Sequence, residues 1–197
     1  MNKFLLVLKI ILYPIYRLVF WYSVDGLENI PKDRGVIFCS NHISNLDPVL
    51  WIIVIRRRLC FMAKKELFNN KLLGWFLRKV DVFGIDRGKR DIGAIKKAIR
   101  IVKNGDILGL YPEGTRSKDG IPGKAKTGVA YIAHMCKCDV VPAAVKCNGK
   151  LRPFKRIRMT VGEPISYEKI KNSASKDDLQ KTADYIMNRV VELWETI

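Results

Sequence analysis

Apolar residues recur along this chain in short blocks separated by polar, glycine-bearing turns, and the spacing within each block predicts its structure. Residues 35–40, Gly-Val-Ile-Phe-Cys-Ser, read as a buried strand. After a polar turn, Asp47 and Pro48 read as an N-cap and a first helical residue ahead of an apolar helix running to Ile55. Further strands are predicted near 59–63, 81–85, 106–111, 139–145 and 156–161. Between two of them Ile92, Ile95, Ile99 and Val102 repeat at helical spacing, and Asn104-Gly105 ends that helix. Ser175 and Asp178 open a last amphipathic helix with Leu179, Ala183, Ile186, Val190 and Trp194 on one face; residues 172–177 before it read as a loop. This alternation predicts a single α/β domain over residues 25–197, a mixed central sheet flanked by helices. A chain of 197 residues is long enough to bury a substantial core.

The first 24 residues stand apart. Phe4 to Val24 is apolar and aromatic, but Lys9, Pro14 and Arg17 interrupt it, so no clean run of transmembrane length exists. Cations without an acid before Asp25 predict one or two membrane-interfacial helices bent at Pro14. A signal peptide is the first rival, although no small-x-small cleavage site follows the apolar run. A packed amphipathic helix of a purely soluble protein is the second.

Charge sharpens this picture. Lys plus Arg number 36 against 19 Asp plus Glu, a net +17, which implies an anionic partner or surface. An anionic bilayer, the phosphates of coenzyme A or an acidic acyl carrier protein, and nucleic acid all qualify on charge. The apolar N-terminus favours the membrane over nucleic acid. From Lys146 to Gly162 six cations occur without an acid, either as an anion-binding or bilayer-facing rim or as a solvated loop and half-exposed strand. Five cysteines form no disulfide framework and read as reduced core thiols of a cytosolic setting. Cys136-Lys-Cys138 with His134 lacks a second ligand pair at zinc spacing, so no metal site is expected. His134 reads as a packed or capping residue.

Two motifs carry chemistry. Asn41-His-Ile-Ser-Asn-Leu-Asp47 places a carboxylate five residues after a histidine, a spacing that brings the two together if His42 lies in a turn and Asp47 begins the next element. Histidine backed by aspartate is a general-base arrangement. Taken alone, the pair also fits a polar loop residue and a helix cap. Tyr111-Pro-Glu-Gly-Thr-Arg-Ser117, after a strand-like run, gathers Glu113, Gly114, Thr115 and Arg116 in one loop. Gly114 lets backbone amides approach a ligand, Arg116 offers a planar fork to a phosphate, and Thr115 can hydrogen-bond. A surface turn with a Glu113–Arg116 pair is the alternative.

The two motifs together, with Val82-Phe-Gly-Ile-Asp-Arg87 and Val140-Val-Pro-Ala-Ala-Val145 in order and at matching spacing, resemble the glycerophospholipid acyltransferase family, most closely its 1-acylglycerol-3-phosphate acyltransferases. The likeness covers roughly residues 25–165. It departs at Asp81, Gly84 and Tyr111, where the family usually has glycine, an aromatic or proline, and phenylalanine. The resemblance implies acyl transfer from an acyl-CoA or acyl carrier protein thioester to lysophosphatidic acid, giving phosphatidic acid, without cofactor or metal, at the cytoplasmic face of a membrane. It casts His42 and Asp47 as the base and its orienting carboxylate. Arg87 and Arg116 fall to the acceptor phosphate; Lys64 and Lys124 or Lys126 read either as further contacts or as solvated surface charges. Glu113 orients acceptor hydroxyls or the arginines, and the Gly114 amides, with Thr115, face the oxyanion. Glycerol-3-phosphate or another lysolipid is the rival acceptor. A non-catalytic basic protein binding anionic lipid or nucleic acid is the rival of another class.

Overall fold

A computed structural model describes residues 3–86, 91–149, 151–174 and 178–197. Seven strands form one sheet: β1 (Trp21–Asp25), β2 (Val36–Ser40), β3 (Leu59–Lys64), β4 (Val82–Ile85), β5 (Ile107–Leu110), β6 (Val140–Cys147) and β7 (Arg156–Val161). Their order is β1-β7-β6-β2-β5-β3-β4, and only the β6–β7 pair is antiparallel. The mixed α/β sheet expected from the sequence is therefore present. Helices cover both faces: α1 (Lys3–Val19), α2 (Asp47–Val54) and α3 (Lys71–Lys79) on one, α4 (Ile92–Lys103), α5 (Gly128–Cys136), α6 (Tyr167–Ser173) and α7 (Leu179–Thr196) on the other.

Strand alternation divides the core. Val36, Phe38, Leu59, Phe61 and Ile107 pack toward α1 and α2, whereas Ile37, Cys39, Cys60 and Leu108 pack toward α4, α5 and α7. Every residue of β2 and β5 is buried, which is why these strands read as continuous apolar runs.

The structure corrects several expectations. The helical part of the N-terminus ends at Val19, and Trp21–Asp25 is an edge strand paired with β7, so a boundary after residue 24 would cut the sheet. Of the one or two helices expected here, residues 3–19 form one, with Pro14 inside it. In α4 the buried residues are Ala94, Ala98, Ile101 and Val102, while Ile92 is exposed. Small alanines let this helix approach the sheet more closely than the larger isoleucines would. The helix ends as expected: Gly105, at φ +80°, donates to Val102 O and Asp106 donates to Ile101 O, a Schellman closure. Asp178 caps α7 through the Lys181 amide; Ser175 lies outside the described residues.

Topology positions the site. The chain leaving β2 crosses by α2 to β3, whereas the chain leaving its neighbour β5 crosses by α5 to β6 on the other side and over the other face. Connections diverging from adjacent parallel strands open a crevice at their carboxyl ends. His42 follows β2 there, and Glu113 follows β5.

Candidate active site

Asp47 begins α2 but does not cap it. Its Oδ2 turns back into the preceding loop, where it accepts from the Ile43 and Ser44 amides, both at 2.7 Å, and lies 2.9 Å from His42 Nδ1. This replaces the N-cap expectation, since Leu46 holds the cap position and makes no side-chain bond. Because a carboxylate only accepts, Nδ1 carries the proton and donates to Asp47, leaving Nε2 with its lone pair. Asp47 is wholly buried, so three hydrogen bonds converging on one oxygen fix both the loop and the ring.

The second motif grips the first. The His42 N–H donates to Glu113 Oε1 at 3.0 Å, and the Ser117 N–H donates to the His42 carbonyl at 2.8 Å. Tyr111 stacks on the imidazole at 3.9 Å between centroids and 14° between planes, and Phe61 stacks on Tyr111 at 5.4 Å. Below them lies Gly109, where a Cβ would meet the Phe61 ring at 2.4 Å. Asn41 adds a further anchor, its amide donating to Val145 O and accepting from Val145 N, both at 2.8 Å, as a strand backbone would. Neither Gly109 nor Phe61 is marked by sequence spacing. Asn41 and Tyr111 stood inside motifs already singled out, so their side chains were the findable ones.

Glu113 is buried, at 3 % exposure. Burial raises its carboxyl above the usual carboxylate range, and the His42 and Gly123 amides oppose that rise by hydrogen bonding the charged form. Its contact is thus with the His42 backbone, not with an exposed arginine. The Gly114 N–H donates to Tyr111 O at 2.9 Å in a turn that needs φ +67°, so this amide is taken up inside the loop. Thr115 and Arg116 are exposed at its tip, and the Lys126 stem lies against Gly114. Lys64 is exposed at the carboxyl end of β3, at the same edge of the sheet, and pairs with Glu66 at 3.1 Å. Arg87 lies outside the described residues.

Thiols do not compete for the chemistry. Burial pushes Cys39, three residues before His42, well above its usual range, and Cys60 up to about 12. His134 sits edge-on to Tyr167 at 6.1 Å, away from these loops, as a packed residue.

Comparison with known proteins identifies the family. A family model described as Acyltransferase matches residues 22–146. The 1-acyl-sn-glycerol-3-phosphate acyltransferase of Bacillus subtilis is 34 % identical over 176 residues, covering 87 % of each chain. That of Streptococcus pneumoniae is 31 % identical over 167 residues, covering 82 % of this chain and 61 % of the relative. The crystal structure of the 1-acyl-sn-glycerophosphate acyltransferase PlsC from Thermotoga maritima superposes with a TM-score of 0.74 at 29 % identity, covering 95 % of this chain and 78 % of that one. With the family model spanning well over half of its length, the chain belongs to the acyltransferase family.

Proposed function

We propose that the protein esterifies the sn-2 hydroxyl of 1-acylglycerol-3-phosphate from an acyl thioester, giving phosphatidic acid at the cytoplasmic face of a membrane. The observation that carries this is the clamping of His42: its N–H, its carbonyl and its ring are each held by groups of the second motif, and Nδ1 by Asp47. What remains directed away is Nε2. In this reading Nε2 takes the proton of the acceptor hydroxyl as that oxygen attacks the thioester carbonyl. The tetrahedral oxyanion then collapses, the C–S bond breaks, and the thiolate leaves with the proton from the imidazolium. Asp47 stabilises the imidazolium, and no acyl-enzyme forms. Each proton transfer contributes about 10²–10⁴-fold, and positioning of both substrates supplies much of the rest.

With the Gly114 amide occupied, Thr115 at the loop tip is the group assigned to the oxyanion, by its amide or its hydroxyl. Arg116 on the same loop, Lys64 and Arg87 hold the acceptor phosphate. The donor is an acyl-CoA or an acyl carrier protein thioester, which present the same reacting group. The relatives' shared activity supports the acceptor. Five free cysteines favour the cytoplasmic side, and the outer face of α1 is apolar. Among the described residues no helix is long and apolar enough to cross a membrane; the exposed apolar face of α1 supports interfacial attachment.

The test is phosphatidic acid formation by purified protein from 1-acylglycerol-3-phosphate with each thioester, with glycerol-3-phosphate as the comparison acceptor. Arg116→Ala raises the acceptor KM about 10-fold while leaving the donor KM within about twofold. An unchanged acceptor KM removes Arg116 from the phosphate site. No phosphatidic acid with either donor ends the reading.

A further inference from the structure

Resting on the membrane-bound reading above, we propose that α3 is a second bilayer-inserting element, and that α1 and α3 form one docking face for an anionic lipid surface. The argument starts from α1. Leu5, Leu8, Leu12, Tyr16 and Val19, at helical spacing, turn toward the domain; the flanking stripe of Phe4, Val7, Ile11, Ile15 and Leu18, about 100° round the helix, is exposed, Leu18 at 75 %, and farther round Leu6 and Ile10 are exposed as well. A helix apolar on both sides has a second apolar medium beyond it.

The same asymmetry occurs in α3. Gly74, Phe76 and Leu77 face inward, while Leu72 is 78 % exposed and Trp75 48 %, with Leu67 and Leu73 exposed beside them. The two exposed faces are continuous, because Phe4 of α1 meets Trp75 of α3 edge-on at 5.8 Å. Charge identifies the occupant. Neither helix contains an acid, and α3 carries Lys71, Arg78 and Lys79. The Lys79 ammonium lies 5.9 Å from the Trp75 ring centroid and the Arg78 guanidinium 5.8 Å from that of Phe68, so both stems lie along apolar surface. Apolar side chains bordered by cations match the acyl boundary and anionic headgroups of a bilayer.

The second helix has a mechanical consequence. One interfacial helix sets depth but leaves the molecule free to roll about its axis; contact through a second element removes that freedom. The 3₁₀ turn Lys65–Phe68 joins α3 to β3 immediately beyond Lys64, at the edge of the sheet that carries His42. Fixing the roll therefore fixes the height of the site above the lipid.

Binding to vesicles of phosphatidylcholine with about one-third phosphatidylglycerol, in low and high salt, tests this. Leu72→Glu is expected to raise the lipid needed for half-binding about 10-fold, as Ile10→Glu does on α1, while leaving turnover of detergent-dispersed substrates unchanged. Brominated acyl chains should quench the wild type more than Trp75→Phe. If Ile10→Glu releases the protein but Leu72→Glu binds like wild type, or if Trp75→Phe keeps the full quenching, α3 is not inserted and α1 alone anchors. Wild type that ignores vesicles overturns both readings. An oligomer dispersed by Leu72→Glu, with vesicle binding unchanged, assigns the face to a second copy of the chain and overturns the proposal.

Discussion

His42 owes its orientation to partners whose own side chains are buried, and Glu113 shows the conflict this creates. Its carboxylate holds the His42 N–H from a site that disfavours its charge. With the folded pKa raised above the unfolded value, the folded state binds more protons in between. Its contribution to stability is therefore fullest below the unfolded pKa and is lost as pH rises through the folded one. Glu113→Gln keeps an acceptor for the His42 amide and removes the charge. The thermal midpoint of this variant at neutral pH should equal or exceed that of wild type, with the advantage shrinking in acid. Its turnover should fall about 10-fold or more, because a negative charge beside the imidazolium is lost. A midpoint lowered by several degrees at neutral pH would show that the carboxylate stabilises the fold.

At the scale of elements, the site exists because β2 and β5 are neighbours whose chains depart in opposite directions. The stack Gly109, Phe61, Tyr111 and His42 transmits the geometry of β5 and β3 to the imidazole. Gly109→Ala must push the Phe61 ring aside, a cost of about 1–3 kcal/mol by denaturant unfolding. Turnover of the folded variant should drop as well, and an unchanged kcat would show that the stack does not position His42. Such a stack leaves no trace in local spacing, since its members come from two strands and two loops. Strands buried on both faces were legible as apolar runs, and so was the glycine that closes α4. Strand β1 was not, because its pairing with β7 is a long-range event and Trp21-Tyr22 continues the aromatic character of α1. In α4 the helix was legible from its isoleucine repeat, but which residues it buries was not: Ala94, Ala98, Ile101 and Val102 face the core. Both candidate site motifs were legible because their residues are close in sequence as well as in space.

For the whole molecule, the cations behind the net charge of +17 serve different purposes at the two ends of the sheet. At the amino ends of the strands Arg58 donates to Asp81 and Asp106, and Arg57 donates to the carbonyls of Pro31, Arg34 and Gly105. These cations, which sequence reading pooled with the rest, join loops and strengthen the fold. The carboxyl ends hold Lys64, Arg116 and Lys126, where a phosphate-bearing acceptor is proposed to bind. Composition registered the charge but not this division, which depends on which strand end each loop occupies. The most direct measurement of the central claim is thiol release from palmitoyl-coenzyme A, or from the carrier-protein thioester, with and without lysophosphatidic acid, in wild type and His42→Ala. The account predicts release that requires the acceptor, matches phosphatidic acid mole for mole, and falls by about 10² or more in the variant. Release without acceptor, or turnover surviving in His42→Ala, would contradict it.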